Sequence, residues 1–182
     1  MQNYLGIVKD KKEILKNTLL NALVNNDLLI LTGGVSKGDF DFVPRILEEM
    51  DFEILFTKLA IKPGMPMILA SKKGKFCVGL SGNPVSSFLQ FELVVKPLLD
   101  KLTGCDEKSV YLKIPMGGEY SLKESDRESY IPVRITHHGV LYPVEFHGSE
   151  HLHSLADANG IAHIKSGQNR IAKGTLLDVL LI

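Results

Sequence analysis

The sequence predicts an α/β domain with an open, mostly parallel sheet flanked by helices, followed by a small all-β barrel domain. Two observations predict this order. Up to Gly104, segments with helical and with strand periodicity alternate along the chain, which is typical of an open α/β sheet. From about residue 108, short runs with period-two alternation are separated by Gly, Pro, Asn and Asp, which is typical of an all-β fold. The predicted domains are 1–106 and 107–182.

The composition restricts the possible partners. Lys+Arg and Asp+Glu both total 21, so the formal net charge is zero and any anion site has to be local. Nucleic acid is therefore not an expected partner. No apolar run reaches the roughly 20 residues of a membrane span, so no membrane partner is expected either. Cys77 and Cys105 have no metal-ligand spacing, and we predict two buried, reduced thiols in a cytoplasmic protein.

Capping and turn residues define the elements of the first domain. Asp10 and Glu13 have the spacing of a capping box before an amphipathic helix, and "MQNYLGIV" before them could be a strand. "LLILT" predicts a short buried strand, and a second helix follows from about residue 42 with Pro44 in its first turn. "FEILFTKLAI" predicts the next strand and "MILASKKGKFCVGL" a hairpin.

The last helix of this domain begins after "SGNP". Asn83 is a natural N-cap and Pro84 suits the first helical position. The helix is strongly apolar, and Pro97 is expected to kink or split it. The strand-like runs of the second domain are "SVYLKIPM", "SYIPVRITH", "GVLYPVEF", "GIAHI" and "TLLDVLLI", with "THHGVL" as a hairpin end.

The loop "TGGVSKGDFD" after the first strand predicts an anion site. Gly33, Gly34 and Gly38 leave the backbone free to direct its N–H groups toward one point, and Ser36 adds a hydroxyl. A plain strand-to-helix turn is the alternative interpretation. Two carboxylates beside such a site indicate a hard cation such as Mg²⁺. We assign Asp41 to the cation, whereas Asp39 is either a ligand or a helix cap.

Two further loops carry polar groups. Lys58 and Lys62 are four residues apart at a predicted strand end, so both ammonium groups would lie on one face, and Pro63 and Gly64 would form the turn that presents Lys62. In the other loop, Gly82 to Ser86 contain the start of a helix, which favours anions, although an ordinary helix cap is an equal alternative.

Other site types lack support. His147, His151 and His153 are close in sequence but lack helical ligand spacing, so we expect hydrogen-bonded or solvated histidines. The sequence contains no G-x-G-x-x-G or Walker-type motif.

In this order, "GGVSKGDFD", "KLAIKPGMP" and "GLSGNPVS" resemble the molybdopterin molybdenumtransferase family, the MoeA type that includes the gephyrin E domain. "GSEHLHSLADANGI" and "KGTLLDVLLI" extend the resemblance through the β domain. It implies a molybdopterin-binding fold and insertion of molybdate into adenylylated molybdopterin with release of AMP, with Mg²⁺, in a homodimer. A molybdopterin-adenylylating protein is a possible partner.

The resemblance also implies roles for the loops. The glycine loop and residues 82–86 would hold phosphate or pterin, Lys58 and Lys62 would attract molybdate, and Asp41 would bind Mg²⁺ or act beside molybdate. The residues implied in substrate binding are Gly33, Gly34, Ser36, Gly38, Asp39, Pro63, Gly64, Gly82, Asn83, Pro84, Ser86, Arg127 and Ser149.

Departures from the family pattern keep alternatives open. Met65 stands where "KPGKP" has its second lysine, and Ser81 replaces the usual proline of "GLPGNP". The N-terminal domains of the family are not visible, so we expect a truncated chain or the product of a split or degenerate gene, with little or no transferase activity alone. A molybdopterin or nucleotide-binding module, an interaction scaffold and a relative of the adenylylating proteins are the alternatives, although the β domain argues against the last.

Overall fold

The computed structural model describes residues 2–35, 42–105, 110–123, 126–144 and 155–182. The chain forms two compact units, which divide it differently from the predicted domains. The first unit comprises Met1–Leu59 and Pro66–Gly82, and the second comprises Ala60–Met65 and Asn83–Ile182. The predicted boundary at residue 106 stays a prediction.

The elements follow in chain order. The helices are α1 (Lys12–Val24), α2 (Val43–Glu49), α3 (Pro84–Gln90) and α4 (Lys96–Thr103), with a π-helical segment (Phe91–Val95) between the last two. The strands are β1 (Leu28–Thr32), β2 (Glu53–Lys58), β3 (Ile61–Lys62), β4 (Pro66–Lys72), β5 (Lys75–Leu80), β6 (Tyr111–Pro115), β7 (Tyr120–Ser121), β8 (Glu128–Ile135), β9 (Leu141–Pro143), β10 (Gly160–Ile164), β11 (Arg170–Ile171) and β12 (Leu176–Leu181). None of the helices in the described ranges has the length and apolar character needed to cross a membrane.

The sheet of the first unit has the order β1-β5-β4-β2, and α1 and α2 share its core. This confirms a mixed α/β fold with a sheet flanked by helices. The sheet is not mostly parallel, because β1 and β5 pair in parallel whereas β5 with β4 and β4 with β2 pair antiparallel. The physical reason is the tight turn at Lys73 and Gly74, both at positive φ, which forces β4 and β5 to be antiparallel neighbours.

The ends of α1 and α2 depend on residues distant in sequence. Asp10 does not cap α1, since Lys11 occupies the N-cap position and makes no side-chain capping bond. At the C-terminal end of α1, Lys75 donates from Nζ to the Leu23 carbonyl at 2.6 Å. Lys72 donates likewise to the carbonyl of Met50 at the end of α2. The hairpin lysines therefore satisfy carbonyls that the helices leave unpaired. Residues 2–10 are not a strand.

The second unit contains a six-stranded sheet of order β3-β8-β10-β12-β6, with β9 on β8. Its main core consists of Ile114, Met116, Ile131, Val133, Leu141, Ala162, Ile164, Ile171, Leu177 and Val179. The predicted barrel is not closed in the described residues. A single bridge, from Met116 to Leu141, links the region after β6 with β9 instead of a continuous ladder. The hairpin at "THHGVL" is confirmed by the antiparallel pairing of β8 and β9.

The helix after Gly82 packs on this sheet. Val85 and Leu89 of α3 form a small core with Ile161 and Leu180. As predicted, Asn83 caps α3, and Pro84 occupies its first turn. The α-helical pattern is interrupted by the π-helical segment just before Pro97, which has no N–H for the i−4 carbonyl.

The two cysteines have different environments. Cys77 is fully buried in the first unit, and burial raises the pKa of its thiol to about 12. Cys105 is exposed, so the prediction of two buried thiols is wrong for this residue. It follows Gly104, whose left-handed conformation ends α4, and this position places it outside the core. Both thiols are free.

Glu128 and Tyr130 of β8 form a polar cluster with His163 of β10, and this cluster makes the stability of the fold depend on pH. Glu128 forms a hydrogen bond with His163, whose ring stacks on Tyr130 with centroids 4.8 Å apart. The hydrogen bond from His163 is the main cause that lowers the pKa of the Glu128 carboxyl below its ordinary 4.5. A carboxyl with a depressed folded-state pKa stabilises the fold above its unfolded pKa, and this contribution is lost as pH falls through the folded value.

We therefore expect His163→Leu, which removes the donor, to raise the pKa of Glu128 toward its ordinary value, measured by a ¹³C NMR titration of the carboxyl. Lys113→Met is the control. It should raise the pKa of Asp178, which Lys113 lowers by a hydrogen bond, and leave that of Glu128 in place. An unchanged Glu128 titration in His163→Leu would contradict the assigned cause.

Candidate functional site

The loops after β1 and β5 meet at one edge of the first sheet. The two strands are parallel and Thr32 pairs with Leu80, so their carboxyl ends lie together. The Gly33 amide donates to the Leu80 carbonyl at 3.0 Å. A Cβ on Gly82 would lie 3.6 Å from the Cα of Gly33. The structure therefore brings together two of the predicted site loops, in the position where open α/β sheets bind ligands.

The backbone conformation at this edge of the sheet favours glycine at positions 33 and 34. Gly33 and Gly34 have φ of 85° and 67°, a region that side chains disfavour. A Cβ on Gly34 would lie 3.3 Å from Cγ2 of Val43. Because the amide of Gly33 is engaged by Leu80, Gly33 shapes the loop but does not supply an anion donor.

Several predicted site residues lie outside the described residues. They are Ser36, Gly38, Asp39, Asp41 and Ser149, together with the histidine cluster His147, His151 and His153. Within the described part of the chain, no three His, Cys, Asp or Glu side chains are grouped so that they could hold a metal ion.

The two predicted lysines lie on different strands. Lys58 ends β2, which pairs with β4, whereas Lys62 is in β3, which pairs in parallel with β8. The single strand predicted through Ile61 is interrupted at Leu59 and Ala60. The inference that i and i+4 share one strand face therefore fails. Lys58 is exposed and Lys62 half-buried, and in the described ranges neither forms an ion pair.

The turn after Lys62 is present and depends on glycine. The peptide bond between Lys62 and Pro63 is cis, and Gly64 has φ 101°. A Cβ on Gly64 would lie 3.4 Å from side-chain atoms of both Gln90 and Ile61. A side chain at position 64 would therefore be strained by the backbone, although its Cβ would only be in van der Waals contact with these neighbours.

Arg127 contacts the backbone of this turn. Its Nη1 donates to the Ile61 carbonyl at 3.1 Å, and the amide of Glu128 donates to the Ala60 carbonyl at 3.1 Å. The guanidinium is therefore next to the residue that precedes Lys62. The sequence predicted that Arg127 takes part in substrate binding, but it did not predict the hydrogen bond to the Ile61 carbonyl.

Sequence reasoning missed Gln90. Its side chain is fully buried and donates from Nε2 to the Gly64 carbonyl at 2.7 Å. The available signal was a side-chain amide between Leu89 and Phe91 in a strongly apolar helical segment. A buried amide of this kind needs a hydrogen-bond partner, and here the partner is the turn.

The start of α3 has the geometry of a cap. Oδ1 of Asn83 accepts from the amide of Ser86 at 3.1 Å, and Ser86 is buried. Pro84 is exposed in the first turn. This matches the ordinary-cap interpretation of the loop.

Comparisons with known proteins cover nearly the whole chain. Residues 2–101 match the family described as "Probable molybdopterin binding domain", and residues 118–182 match the "MoeA C-terminal region (domain IV)". A molybdopterin molybdenumtransferase from Staphylococcus epidermidis is 35% identical over 165 residues, covering 88% of this chain and 39% of the relative. One from Bacillus subtilis is 33% identical, covering 98% of this chain and 42% of the relative.

Solved structures agree with these matches. A MoeA protein of molybdopterin biosynthesis from Pyrococcus horikosii superposes with a TM-score of 0.80 at 29% identity, covering 97% of this chain and 42% of that one. A molybdenum cofactor biosynthesis protein from Pyrococcus furiosus, at 24% identity and a TM-score of 0.76, shares the fold over 98% of this chain and 57% of its own. The chain thus spans about two fifths of the length of its curated relatives. It belongs to the MoeA-type molybdopterin molybdenumtransferase family.

Proposed function

We propose that this chain is the part of a molybdopterin molybdenumtransferase that binds adenylylated molybdopterin and receives molybdate, with release of AMP. The observation that carries the proposal is the meeting of the Gly33 and Gly82 loops at the carboxyl ends of β1 and β5, in a chain that matches the family in two successive regions. Glycine loops that approach each other without side chains leave room for a ligand close to backbone.

The described residues would act by holding and orienting oxyanions. The loops at Gly33–Gly34 and Gly82–Ser86 would contact phosphate or pterin, and the ammonium groups of Lys58 and Lys62 would attract molybdate. Arg127 supports the backbone beside Lys62. Such residues lower the barrier by positioning reactants and by stabilising charge rather than by forming covalent bonds.

Residues outside the described ranges complete the proposal. Ser36, Gly38 and Ser149 would add contacts to the substrate. Asp41, with Asp39 beside it, would hold Mg²⁺, because carboxylate oxygens are the ligands that this ion prefers. The ion would offset negative charge where phosphate and molybdate approach each other.

The length of the relatives limits what the chain is expected to do alone. Because it spans about two fifths of them, we propose that it folds but has little or no transferase activity without further segments. We also propose that it acts in the cytoplasm as a homodimer, with a molybdopterin-adenylylating protein as a possible partner.

Calorimetry and an AMP assay test this function. The purified chain is titrated with molybdopterin, and AMP release from adenylylated molybdopterin is followed with Mg²⁺, with and without molybdate. Binding with slow, molybdate-dependent release of AMP supports the proposal. Binding without molybdate-linked release favours a binding module, an alternative that Met65 also favours because it lacks the positive charge of lysine. If the chain does not bind molybdopterin, both the proposed function and the binding-module alternative are contradicted. Rapid cofactor formation would contradict the expected inactivity of the chain alone.

Met65→Lys should strengthen binding of adenylylated molybdopterin by about three- to fivefold at low salt, since an added surface charge contributes up to about 1 kcal/mol. Met65 is 38% exposed, so the longer side chain can be accommodated. Met65→Gln, of similar length but uncharged, is the control and should bind like the unsubstituted chain. A gain that persists in high salt would argue against an electrostatic cause.

A further inference from the structure

We infer that Gln90 is a positioning residue, which fixes the turn Ile61–Met65 so that Lys62 is presented to its oxyanion; the identity of that oxyanion rests on the proposed function. Gln90 is the last residue of α3 and has no exposed surface. Burying a side-chain amide among apolar residues is unfavourable unless it forms hydrogen bonds. Its Nε2 donates to the Gly64 carbonyl at 2.7 Å, within the same compact unit.

Gln90 and Gly64 match each other in shape as well as in hydrogen bonding. A Cβ at position 64 would lie 3.4 Å from Cγ and 3.5 Å from Nε2 of Gln90. With φ 101°, Gly64 also has a backbone conformation that other residues rarely adopt. Glycine is therefore required by the backbone conformation of the turn, and the amide of Gln90 packs in van der Waals contact with it.

The opposite end of the turn is held from β8. Nη1 of Arg127 donates to the Ile61 carbonyl at 3.1 Å, and Lys62 pairs in parallel register with Ser129, which is buried. Lys62 thus lies between two carbonyls, those of Ile61 and Gly64, that each accept a side-chain hydrogen bond. A flexible lysine has much side-chain entropy to lose on binding, so a fixed backbone reduces the total cost of placing its ammonium.

Loss of the hydrogen bond between Gln90 and Gly64 should weaken anion binding more than it destabilises the fold. Gln90→Met keeps an unbranched side chain of similar length but removes the donor, and the Gly64 carbonyl loses this bond. The turn then samples more conformations, and the Lys62 ammonium is less often in the binding position. Loss of one partner of a buried hydrogen bond corresponds to roughly a tenfold change in an equilibrium constant.

A double-mutant cycle tests whether Gln90 acts through Lys62. Affinity for adenylylated molybdopterin is measured by calorimetry for the unsubstituted chain, Gln90→Met, Lys62→Met and the double variant. We expect each single variant to bind about tenfold more weakly, and the double variant to bind no more weakly than Lys62→Met. Gln168→Met, at a half-exposed glutamine, is the control and should bind normally.

A ¹³C NMR measurement on the Gly64 carbonyl tests the positioning role of Gln90 without any ligand. The ¹³C resonance of the Gly64 carbonyl should shift in Gln90→Met because it loses the Nε2 donor, and should remain in place in Lys62→Met. If Gln90→Met does not fold, Gln90→Glu replaces it. The carboxyl introduced by that substitution can donate to the Gly64 carbonyl when it is protonated but not when it is ionised. Affinity in the Gln90→Glu variant should therefore fall as pH rises through the pKa of the introduced carboxyl.

The outcomes separate this inference from the proposed function. An unchanged Gly64 carbonyl resonance in Gln90→Met, or losses that multiply in the double variant, would overturn it. If the unsubstituted chain does not bind adenylylated molybdopterin, the proposed function fails. In that case a shifted Gly64 resonance still supports a turn held by Gln90.

Discussion

Gly79→Ala lowers the free energy of unfolding of the first unit by about 1–3 kcal/mol, and Gly79→Val by more, because position 79 has no room for a side chain. A Cβ there would lie 2.5 Å from Cγ1 of Val35 and 3.5 Å from Cβ of Ile68. Both neighbours are buried, at 7% and 1% exposure, so neither can move into solvent without loss of packing.

Denaturant unfolding followed by circular dichroism measures this effect. Gly118→Ala is the matched control, since a Cβ there meets no atom within 4 Å and its φ is not positive. It should leave the unfolding midpoint unchanged. Val35 directly precedes the loop of Ser36, so Gly79→Ala should also weaken binding of molybdopterin. A stable Gly79→Val chain would mean that Val35 does not pack against β5 in this way.

Leu89→Ala should lower the free energy of unfolding of the second unit by about 2–5 kcal/mol. Leu89 is fully buried and joins α3 to β10 and β12 through Ile161 and Leu180. Truncation leaves a cavity under the helix that carries both the Asn83 cap and Gln90. Lost packing under this helix should therefore also weaken ligand binding.

Leu102→Ala provides the comparison for this substitution. Leu102 lies in α4, which continues the same helical stretch, but it is 41% exposed. Removing its side chain should cost less than about 1 kcal/mol, because much of it already contacts water. Urea unfolding midpoints of the two variants give the difference. Equal midpoints would show that the α3 contact does not stabilise the unit.

Local chemistry explains the features that were predicted correctly. The Asn83 cap, the proline in the first turn of α2 and the hairpin at Lys73 and Gly74 all depend on residues within a few positions of each other. Such features follow from the backbone preferences of a short segment. The family and its glycine loops were recognised from motifs that are likewise short and local.

The wrong predictions concern interactions that a short segment does not determine. The strand "FEILFTKLAI" was expected to place Lys58 and Lys62, four residues apart at its end, on one face, but the chain leaves one sheet and enters another between them. The sheet was expected to be mostly parallel, although pairing partners are chosen by the whole fold. The N-cap of α1 was assigned to Asp10 one residue too early.

The sequence by itself determined the family, the mixed α/β character and the local turns, because capping, glycine conformation and periodicity act over a few residues. Only the tertiary structure decided that Gly33 contacts the Gly82 loop and that Gln90 and Arg127 hold the backbone on either side of Lys62. These contacts join residues 26 to 66 positions apart, and such pairs form only when burial of the core brings their elements together.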